Sequence, residues 1–205
     1  MGRCITILCL GIAVAVAAAP LARASNWDEA TDGDLSDNRL APSALLLTPG
    51  MNTVTGSVIG TPSDIDYLTI TVPTGYRLSS LDLLSFTSTD DLGFIGIQAG
   101  STFTQPPTGT DVTQLLGWAH FGPNAPAPYL EVLGTAPGAI GFSGPLPAGP
   151  YTLWIQQVGT QLIGYEWGFG VTPLPAPEPA AAGLVLLGLG ALLGRVANRF
   201  LGRAE

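Results

Sequence analysis

Five acidic side chains lie within ten residues near the start of the chain: Asp28, Glu29, Asp32, Asp34 and Asp37. Hard cations such as Ca²⁺ take about six to eight oxygen ligands, which carboxylates, amide oxygens and backbone carbonyls supply. The spacing is not that of an EF-hand, because no glutamate follows Asp32-Gly33-Asp34 where such a loop needs one. Two interpretations stay open: a cation site that uses Asp28, Asp32, Asp34 and Asp37, or a solvated acidic linker.

Residues suited to nucleophilic catalysis are scarce. His120 is the only histidine, and the two cysteines are Cys4 and Cys9. The stretch Gly141-Phe142-Ser143-Gly144 looks like the turn that carries a nucleophilic serine, but Pro145 stands where that motif ends in glycine. A lone histidine beside aromatic residues is more often structural than catalytic, so we predict that the protein is not an enzyme.

Aromatic side chains could either stack against sugars or fill a core; they are Trp118, Phe121, Trp154, Tyr165 and Trp167. In the segment around Trp154, the residues Tyr151, Leu153 and Ile155 share one face of a predicted strand. Trp154 alternates away from them. It is therefore our candidate for an exposed glycan-binding side chain, with packing between strands as the alternative.

The elements that must position these residues are strands. Alternation of apolar and polar residues recurs through residues 44–172; Leu68, Ile70 and Val72, for example, share one face. Turns rich in proline and glycine separate the alternating segments, one of which is a weak strand predicted at 129–133. We predict an all-β fold, an antiparallel two-sheet β-sandwich or jelly roll over 44–172, preceded by an acidic segment over 25–43.

The charge of this region excludes one class of partner. Thirteen acidic residues stand against two arginines between Ser25 and Leu174, a net charge of −11, and the chain has no lysine. A surface of that sign repels phosphate backbones, so we expect no nucleic-acid binding.

The N-terminus has the layout of a secretory signal. Arg3 precedes an apolar run over residues 5–19, and Ala22-Arg23-Ala24 places small residues before Ser25. We therefore predict a signal helix over 1–24 that signal peptidase removes after Ala24, which sends the protein out of the cytoplasm. A retained anchor helix is the alternative.

The C-terminus combines a proline-rich linker over 173–179, which contains Pro177-Glu178-Pro179, with an apolar run over 180–194 and then Arg195 and Arg199. The run reaches roughly 22 Å as a helix and approaches the ~30 Å of a bilayer core only when residues 196–201 extend it. We predict a hydrophobic transmembrane helix with an arginine-rich tail over 180–205, its end facing the cytoplasm.

This tail resembles the PEP-CTERM sorting signal. The resemblance rests on Pro177-Glu178-Pro179, on the apolar run rich in glycine and leucine, and on the terminal arginines that include Arg195 and Arg199. It implies recognition by an exosortase, a membrane protease that cleaves near the Pro-Glu-Pro, in a Gram-negative bacterium that makes exopolysaccharide or biofilm. An ordinary membrane anchor is the alternative.

The middle of the chain resembles bacterial pre-peptidase C-terminal (PPC) domains. The segments that carry the resemblance are Gly50-Met51-Asn52-Thr53-Val54-Thr55-Gly56, Asp64-Ile65-Asp66-Tyr67, Val72-Pro73-Thr74-Gly75 and Pro147-Ala148-Gly149-Pro150-Tyr151. Residues 88–145 are longer than in a minimal domain of this kind. The resemblance implies a β-sandwich and a Ca²⁺ site that joins the N-terminal acids to Asp64 or Asp66.

Taken together, these features predict an exported, non-enzymatic protein. It would pass briefly through the membrane and then reside at the cell surface or in the extracellular matrix, where it binds exopolysaccharide. Two alternatives stay open: an exported hydrolase or an accessory domain of one, and a purely structural matrix subunit.

Overall fold

The computed structural model describes residues 25–60, 63–88, 92–109, 111–124 and 128–176. The predicted cleavage site with Ala22 and Ala24 precedes the first described residue, Ser25, and the sorting motif from Pro177 onwards follows the last. Both signals therefore stay predictions. Within the described ranges, no helix is long and apolar enough to cross a membrane.

The described ranges form nine strands and two short helices. In chain order they are β1 (Asn26–Asp28), α1 (Glu29–Asp32), β2 (Ser43–Leu46), β3 (Gly50–Val58), β4 (Ile65–Val72), β5 (Tyr76–Thr87), β6 (Gly93–Ala99), β7 (Gly117–Phe121), α2 (Tyr129–Gly134), β8 (Gly149–Gln157) and β9 (Ile163–Pro173).

The strands form two sheets, one of four strands in the order β1-β3-β9-β5 and one of five in the order β2-β4-β8-β6-β7. The sheets pack face to face, which confirms the predicted β-sandwich. They are mixed rather than purely antiparallel as predicted, because β1 pairs parallel to β3 and β2 parallel to β4. Both parallel strands come from the N-terminal part of the chain and lie at sheet edges, where a short strand can pair in either direction.

The main core lies between the sheets and follows the period-two alternation of each strand. Leu68 and Ile70 of β4 meet Trp167 and Phe169 of β9 in this core, and all four are fully buried. Full burial of a large apolar side chain contributes about 1.5–3 kcal/mol, so the two faces together hold the sheets against each other.

A second cluster lies on the outer face of the five-stranded sheet. It contains Tyr67, Phe103, Leu115 and Trp154, and the loop over 100–116 between β6 and β7 supplies Phe103 and Leu115. Arg39 fixes this loop from the N-terminal segment, since its Nη1 donates to the carbonyl oxygens of Phe103 and Thr104 at 3.0 and 2.9 Å. Side chains of this loop therefore cover part of the outer face of the sheet.

The acidic N-terminal segment is part of the sandwich and not a solvated linker. Leu35 is buried in the main core, and β1 extends the four-stranded sheet. The strands of the described ranges thus begin at Asn26, ahead of residue 44 where the alternation begins, and end at Pro173.

The strand predicted at 129–133 is wrong, because these residues form α2. Tyr129, Leu130 and Leu133 are buried on one side of this helix, a spacing of three and four residues that suits a helix better than a strand.

Candidate cation site

Two of the predicted metal ligands serve the local structure of the N-terminal segment instead. Asp28 caps α1, since its Oδ1 accepts a hydrogen bond from the amide of Ala30 at 3.0 Å. Asp32 reaches back, and its Oδ2 accepts from the amide of Asp28 at 2.8 Å. Each carboxylate satisfies an amide at the helix start. Neither Asp28 nor Asp32 belongs to the two groups of acids that the structure brings together.

Glu29, and not the predicted ligands Asp28 and Asp32, belongs to a group of acids that the structure brings together. Its Oε1 accepts from the amide of Leu35 at 3.2 Å, and its Oε2 accepts from the amide of Ser57 in β3 at 2.8 Å. The side chain is thereby fixed between the loop after α1 and the four-stranded sheet. The sequence contained a signal for the position of Glu29. An aspartate before a short helix is a typical N-cap, and assigning Asp28 to that cap would have left Glu29 available to bind other groups.

The loop after α1 carries Asp34 and Asp37 to the start of β4. The amide of Tyr67 donates to the carbonyl of Ser36 at 2.9 Å, which ties the loop to β4 beside Asp66. The result is two overlapping groups, Glu29 with Asp34 and Asp66, and Asp34 with Asp37 and Asp64. In each group, one carboxylate oxygen from every member lies within 4.8 Å of the others.

We name these five residues the acidic cluster: Glu29, Asp34, Asp37, Asp64 and Asp66. Four of the six predicted ligands thus lie together: Asp34, Asp37, Asp64 and Asp66. Asp34 belongs to both groups. The two halves of the cluster are nearly thirty residues apart in sequence, and the folding of the N-terminal segment onto β4 unites them.

Asp66 is the deepest member of the cluster. It lies on the same face of β4 as Leu68, points between the sheets and is fully buried. Its Oδ2 accepts a short hydrogen bond from the hydroxyl of Tyr165 in the opposite sheet. Its Oδ1 is buried and has no hydrogen-bond partner among the described residues. A buried carboxylate oxygen without a partner is costly, so this atom calls for a proton, a water or a cation.

Gly56 makes room for this arrangement. It pairs with Tyr165 across β3 and β9, and a Cβ at this position would lie 2.6 Å from the Tyr165 hydroxyl and 2.9 Å from Cδ of Glu29. Only a residue without a side chain lets Tyr165 and Glu29 both approach Asp66 here. Tyr165 and Gly56 were absent from our predicted site, and their pairing across strands could not be derived from local sequence.

The electrostatics of the cluster favour uptake of positive charge. Burial raises the pKa of Asp66 to about 9; the Tyr165 hydrogen bond opposes this rise, and the charges of Glu29, Asp64 and Asp34 add to it. Burial, together with Asp34 and Asp37, raises the pKa of Asp64 to about 6. The pKa of Glu29 is also raised, first by burial, although its two backbone hydrogen bonds counteract the effect.

Neither arginine of the domain is held at the acidic cluster. Arg39 binds the loop carbonyls on the outer face, and Arg77 donates from Nε to Thr172 Oγ1 at 3.3 Å. Among the described residues no arginine balances the acidic cluster, whereas protons or a bound cation can supply the compensating charge. Clustered carboxylate oxygens are ligands that Ca²⁺ and Mg²⁺ prefer, and the orphaned Asp66 Oδ1 fits such an ion.

The predicted exposure of Trp154 is wrong. The alternation itself is right, since Trp154 lies on the face opposite Leu153 and Ile155, but only 3% of its surface is exposed. The loop over 100–116 covers it, and its ring packs against Tyr67 and Phe103 with centroid distances of 6.3 and 5.4 Å. A strand pattern alone does not reveal that a later loop folds over the outer face.

His120 lies on β7 with an exposed side chain. Its Nδ1 is 3.3 Å from the carbonyl of Gly93, and its ring contacts the edges of Phe94 and Trp118. His120 thus occupies a surface position among aromatic rings.

Comparison with protein-family models, with curated proteins and with solved structures finds no match to this chain.

Proposed function

We propose that this protein is an exported, non-enzymatic β-sandwich of the bacterial cell surface or extracellular matrix, that Ca²⁺ bound in the acidic cluster stabilises it, and that it binds exopolysaccharide. The observation that carries the Ca²⁺ proposal is Asp66 Oδ1, which is buried and lacks a partner among the described residues, on a carboxylate grouped with those of Glu29 and Asp34. A divalent cation would satisfy this oxygen and neutralise charge that no arginine of the domain compensates.

The residues that would hold the ion are the members of the acidic cluster. Ca²⁺ accepts irregular arrangements of about six to eight oxygens, whereas Mg²⁺ demands a near-ideal octahedron and keeps much of its water. Five carboxylates contributed by two loops, a helix and a strand suit the more tolerant ion. Bound Ca²⁺ would fasten the N-terminal segment to β4, because Glu29, Asp34 and Asp37 lie on the former and Asp66 on the latter.

Such a site suits a protein that works outside the cell. Extracellular Ca²⁺ modules bind their ion with dissociation constants of about 10⁻⁴–10⁻³ M. A site of this affinity stays unoccupied at the low Ca²⁺ concentration of the cytosol. The leader over 1–24 and the PEP-CTERM-like tail support delivery by signal peptidase and an exosortase, with a transient stay in the membrane. Residues 25–176 contain no cysteine, so no disulfide can stabilise them, and a bound cation would supply stabilisation that disulfides provide in many exported domains.

The rival interpretation, an exported hydrolase, would need carboxylates that a substrate can reach. A glycosidase places its two carboxyl groups about 5 Å or more apart on either side of an open cleft. Asp66, the carboxyl with the most strongly raised pKa, is fully buried between the sheets. Its position favours a structural ion over an acid catalyst.

Titration calorimetry tests the Ca²⁺ proposal. We expect the full chain, purified in mild detergent, to bind Ca²⁺ with a dissociation constant of about 10⁻⁴–10⁻³ M. Asp34→Asn removes the carboxylate shared by both groups and should weaken binding at least ~10-fold. Asp82→Asn on β5, outside the cluster, is the matched control and should bind as the parent does. Equal binding by both variants would place the ion elsewhere, and no binding at 10 mM Ca²⁺ would refute the proposal.

Delivery is tested separately by mass spectrometry of the protein in secreted and membrane fractions, with and without the sorting protease. We expect chains that start at Ser25 and end near Pro177-Glu178-Pro179 only where the protease is present. Intact tails in every fraction would refute sorting by an exosortase.

A further inference from the structure

An open pocket of about 310 Å³ lies on the outer face of the five-stranded sheet. Strands β6, β7 and β8 form its floor, and the loop over 100–116 forms one wall. This volume falls at the low end of the range of about 300–1,000 Å³ for small-molecule sites, which favours a small bound group over a large cofactor. Because Asp66 points between the sheets, the pocket and the acidic cluster belong to different parts of the sandwich.

The register of the three strands builds the floor. Phe94 of β6 pairs with His120 on one side and Gln156 on the other, while Gly96 pairs with Trp118 and Trp154. Residues two apart in a strand share a face, so these side chains all point out of the sheet on the same side. The strands thus place three aromatic rings next to two polar side chains.

The rings are held in fixed positions. Trp118 is half-buried and its Nε1 donates to the carbonyl of Pro137 at 3.1 Å. Phe94 stacks on Trp118 with 6.3 Å between centroids and 18° between planes, and it meets Trp154 edge-on at 4.8 Å. Buried Trp154 supports the surface from below, so Trp118 and Phe94 are the rings that a ligand can reach. A pre-formed aromatic surface loses little conformational freedom when it binds.

The rim supplies hydrogen-bonding groups. Asp111 is exposed, and its Oδ1 accepts from the amide and the hydroxyl of Thr113 at 2.9 and 2.6 Å, which orients the carboxylate. The amide of Gln156 and the exposed ring of His120 complete the rim. An aromatic surface with carboxylate, amide and imidazole groups around it matches a sugar ring, whose C–H face is apolar and whose edge carries hydroxyls.

Charge decides which sugars fit. Among the described residues that line the pocket, Asp111 is the only formally charged side chain, and residues 25–174 carry a net charge of −11. A sugar that bears a carboxylate or sulfate would meet repulsion at Asp111 without an arginine in the lining to offset it. The pocket therefore favours an uncharged sugar.

We propose that this pocket binds a neutral pyranose unit of an extracellular polysaccharide, with Trp118 and Phe94 stacked against the sugar face and Asp111, Gln156 and His120 bonded to its hydroxyls. This inference rests on the proposed function, since it names the site and the sugar class for exopolysaccharide binding.

A glycan array of neutral and uronic-acid-containing oligosaccharides, probed with the fluorescently labelled full chain in the presence of Ca²⁺, tests the proposal. We expect binding to neutral glycans. Trp118→Ala should lower the affinity roughly tenfold, as loss of a central tryptophan typically does. Gln156→Ala changes only the rim and should reduce binding even if Trp118→Ala fails to fold. Gln161→Ala, an exposed amide outside the pocket, is the control and should bind normally.

The outcomes separate the site from the function. Neutral-glycan binding that survives both Trp118→Ala and Gln156→Ala would overturn the pocket and leave polysaccharide binding intact. Binding confined to acidic glycans would overturn the assignment of a neutral sugar. Binding to no glycan on the array would overturn both the pocket and the polysaccharide-binding part of the proposed function.

Discussion

Replacing Asp34 with asparagine should stabilise the Ca²⁺-free protein and remove about half or more of the stabilisation by Ca²⁺. Asp34 is the residue common to both groups of the acidic cluster, where carboxylate oxygens lie within 4.8 Å of one another. Two unit charges at that distance repel by roughly 3.5 kcal/mol at an effective dielectric constant of about 20. Because Asp34 is exposed, solvent screening reduces the net relief to about 1 kcal/mol.

The gain from Ca²⁺ follows from linkage. At 10 mM free ion and a dissociation constant of about 0.1–1 mM, binding adds roughly 1.4–2.7 kcal/mol to the free energy of unfolding. One kcal/mol shifts the melting temperature of a domain of this size by about 2–4 °C. We therefore expect Ca²⁺ to raise the parent's melting temperature by roughly 3–11 °C. Without Ca²⁺, Asp34→Asn should melt about 2–4 °C above the parent. Because its binding is ~10-fold weaker, 10 mM Ca²⁺ should then add roughly 0.4–1.4 kcal/mol, or about 1–6 °C.

Tryptophan fluorescence is a suitable assay, because all four tryptophans of the chain lie in the sandwich: Trp27, Trp118, Trp154 and Trp167. Melting curves in chelator and in 10 mM Ca²⁺ are compared for the parent, for Asp34→Asn and for the control Asp82→Asn, which should respond to Ca²⁺ like the parent. The reasoning fails if Asp34→Asn lowers the melting temperature in chelator, or if Ca²⁺ stabilises it as much as the parent.

Three further predictions concern the same site. In chelator, the stability of the protein should fall as pH rises from about 5 to 9: the pKa of Asp66 is raised to about 9 and that of Asp64 to about 6, so the folded state keeps protons that the unfolded state releases. Urea unfolding at several pH values checks this, and stability that rises over the range would contradict it. Tyr165→Phe leaves Asp66 Oδ2 without its hydrogen-bond donor and should lower the free energy of unfolding in urea by about 1–3 kcal/mol. An unchanged free energy of unfolding would contradict a stabilising role for this hydrogen bond. Gly56→Ala drives a methyl group against Tyr165 and Glu29, so calorimetry should find weakened Ca²⁺ binding, and unchanged affinity would show that the close approach is not needed.

Local sequence pattern was enough to predict the sandwich. The alternation of Leu68, Ile70 and Val72 identified both β4 and its buried face, because one side of an antiparallel sheet packs on the core while the strand period is two. The pattern did not reveal that β1 pairs parallel to β3 and β2 parallel to β4. The direction of pairing depends on the path of the connecting segments and not on the side chains of a short strand.

Composition identified most of the candidate cation site but not how it is built. The density of acidic residues pointed to the N-terminal acids, and the resemblance to PPC domains pointed to Asp64 and Asp66. Neither could distinguish a carboxylate that binds an ion from one that caps a helix. Asp28 and Asp32 bond amides of their own turn, whereas the amides of Leu35 and Ser57 hold Glu29 in the cluster. The contact between Asp66 and Tyr165 joins residues 99 apart, a distance over which local pattern carries no information.

The lack of long-range information in local sequence also explains why Trp154 was predicted to be exposed but is buried. Its face was predictable from alternation, but its exposure depended on the loop over 100–116, which Arg39 fixes from a distant part of the chain. The rings that remain accessible are those of Phe94 on β6 and Trp118 on β7, and the register of β8, β6 and β7 brings them beside Gln156.

A crystal structure of the protein grown with Ca²⁺ tests the central claim most directly, by way of the electron density next to Asp66. We predict an ion about 2.3–2.6 Å from Asp66 Oδ1, with Asp34 and at least one further carboxylate of the acidic cluster among its ligands. An Asp66 that still meets only Tyr165, with no ion beside it at millimolar Ca²⁺, would contradict the account.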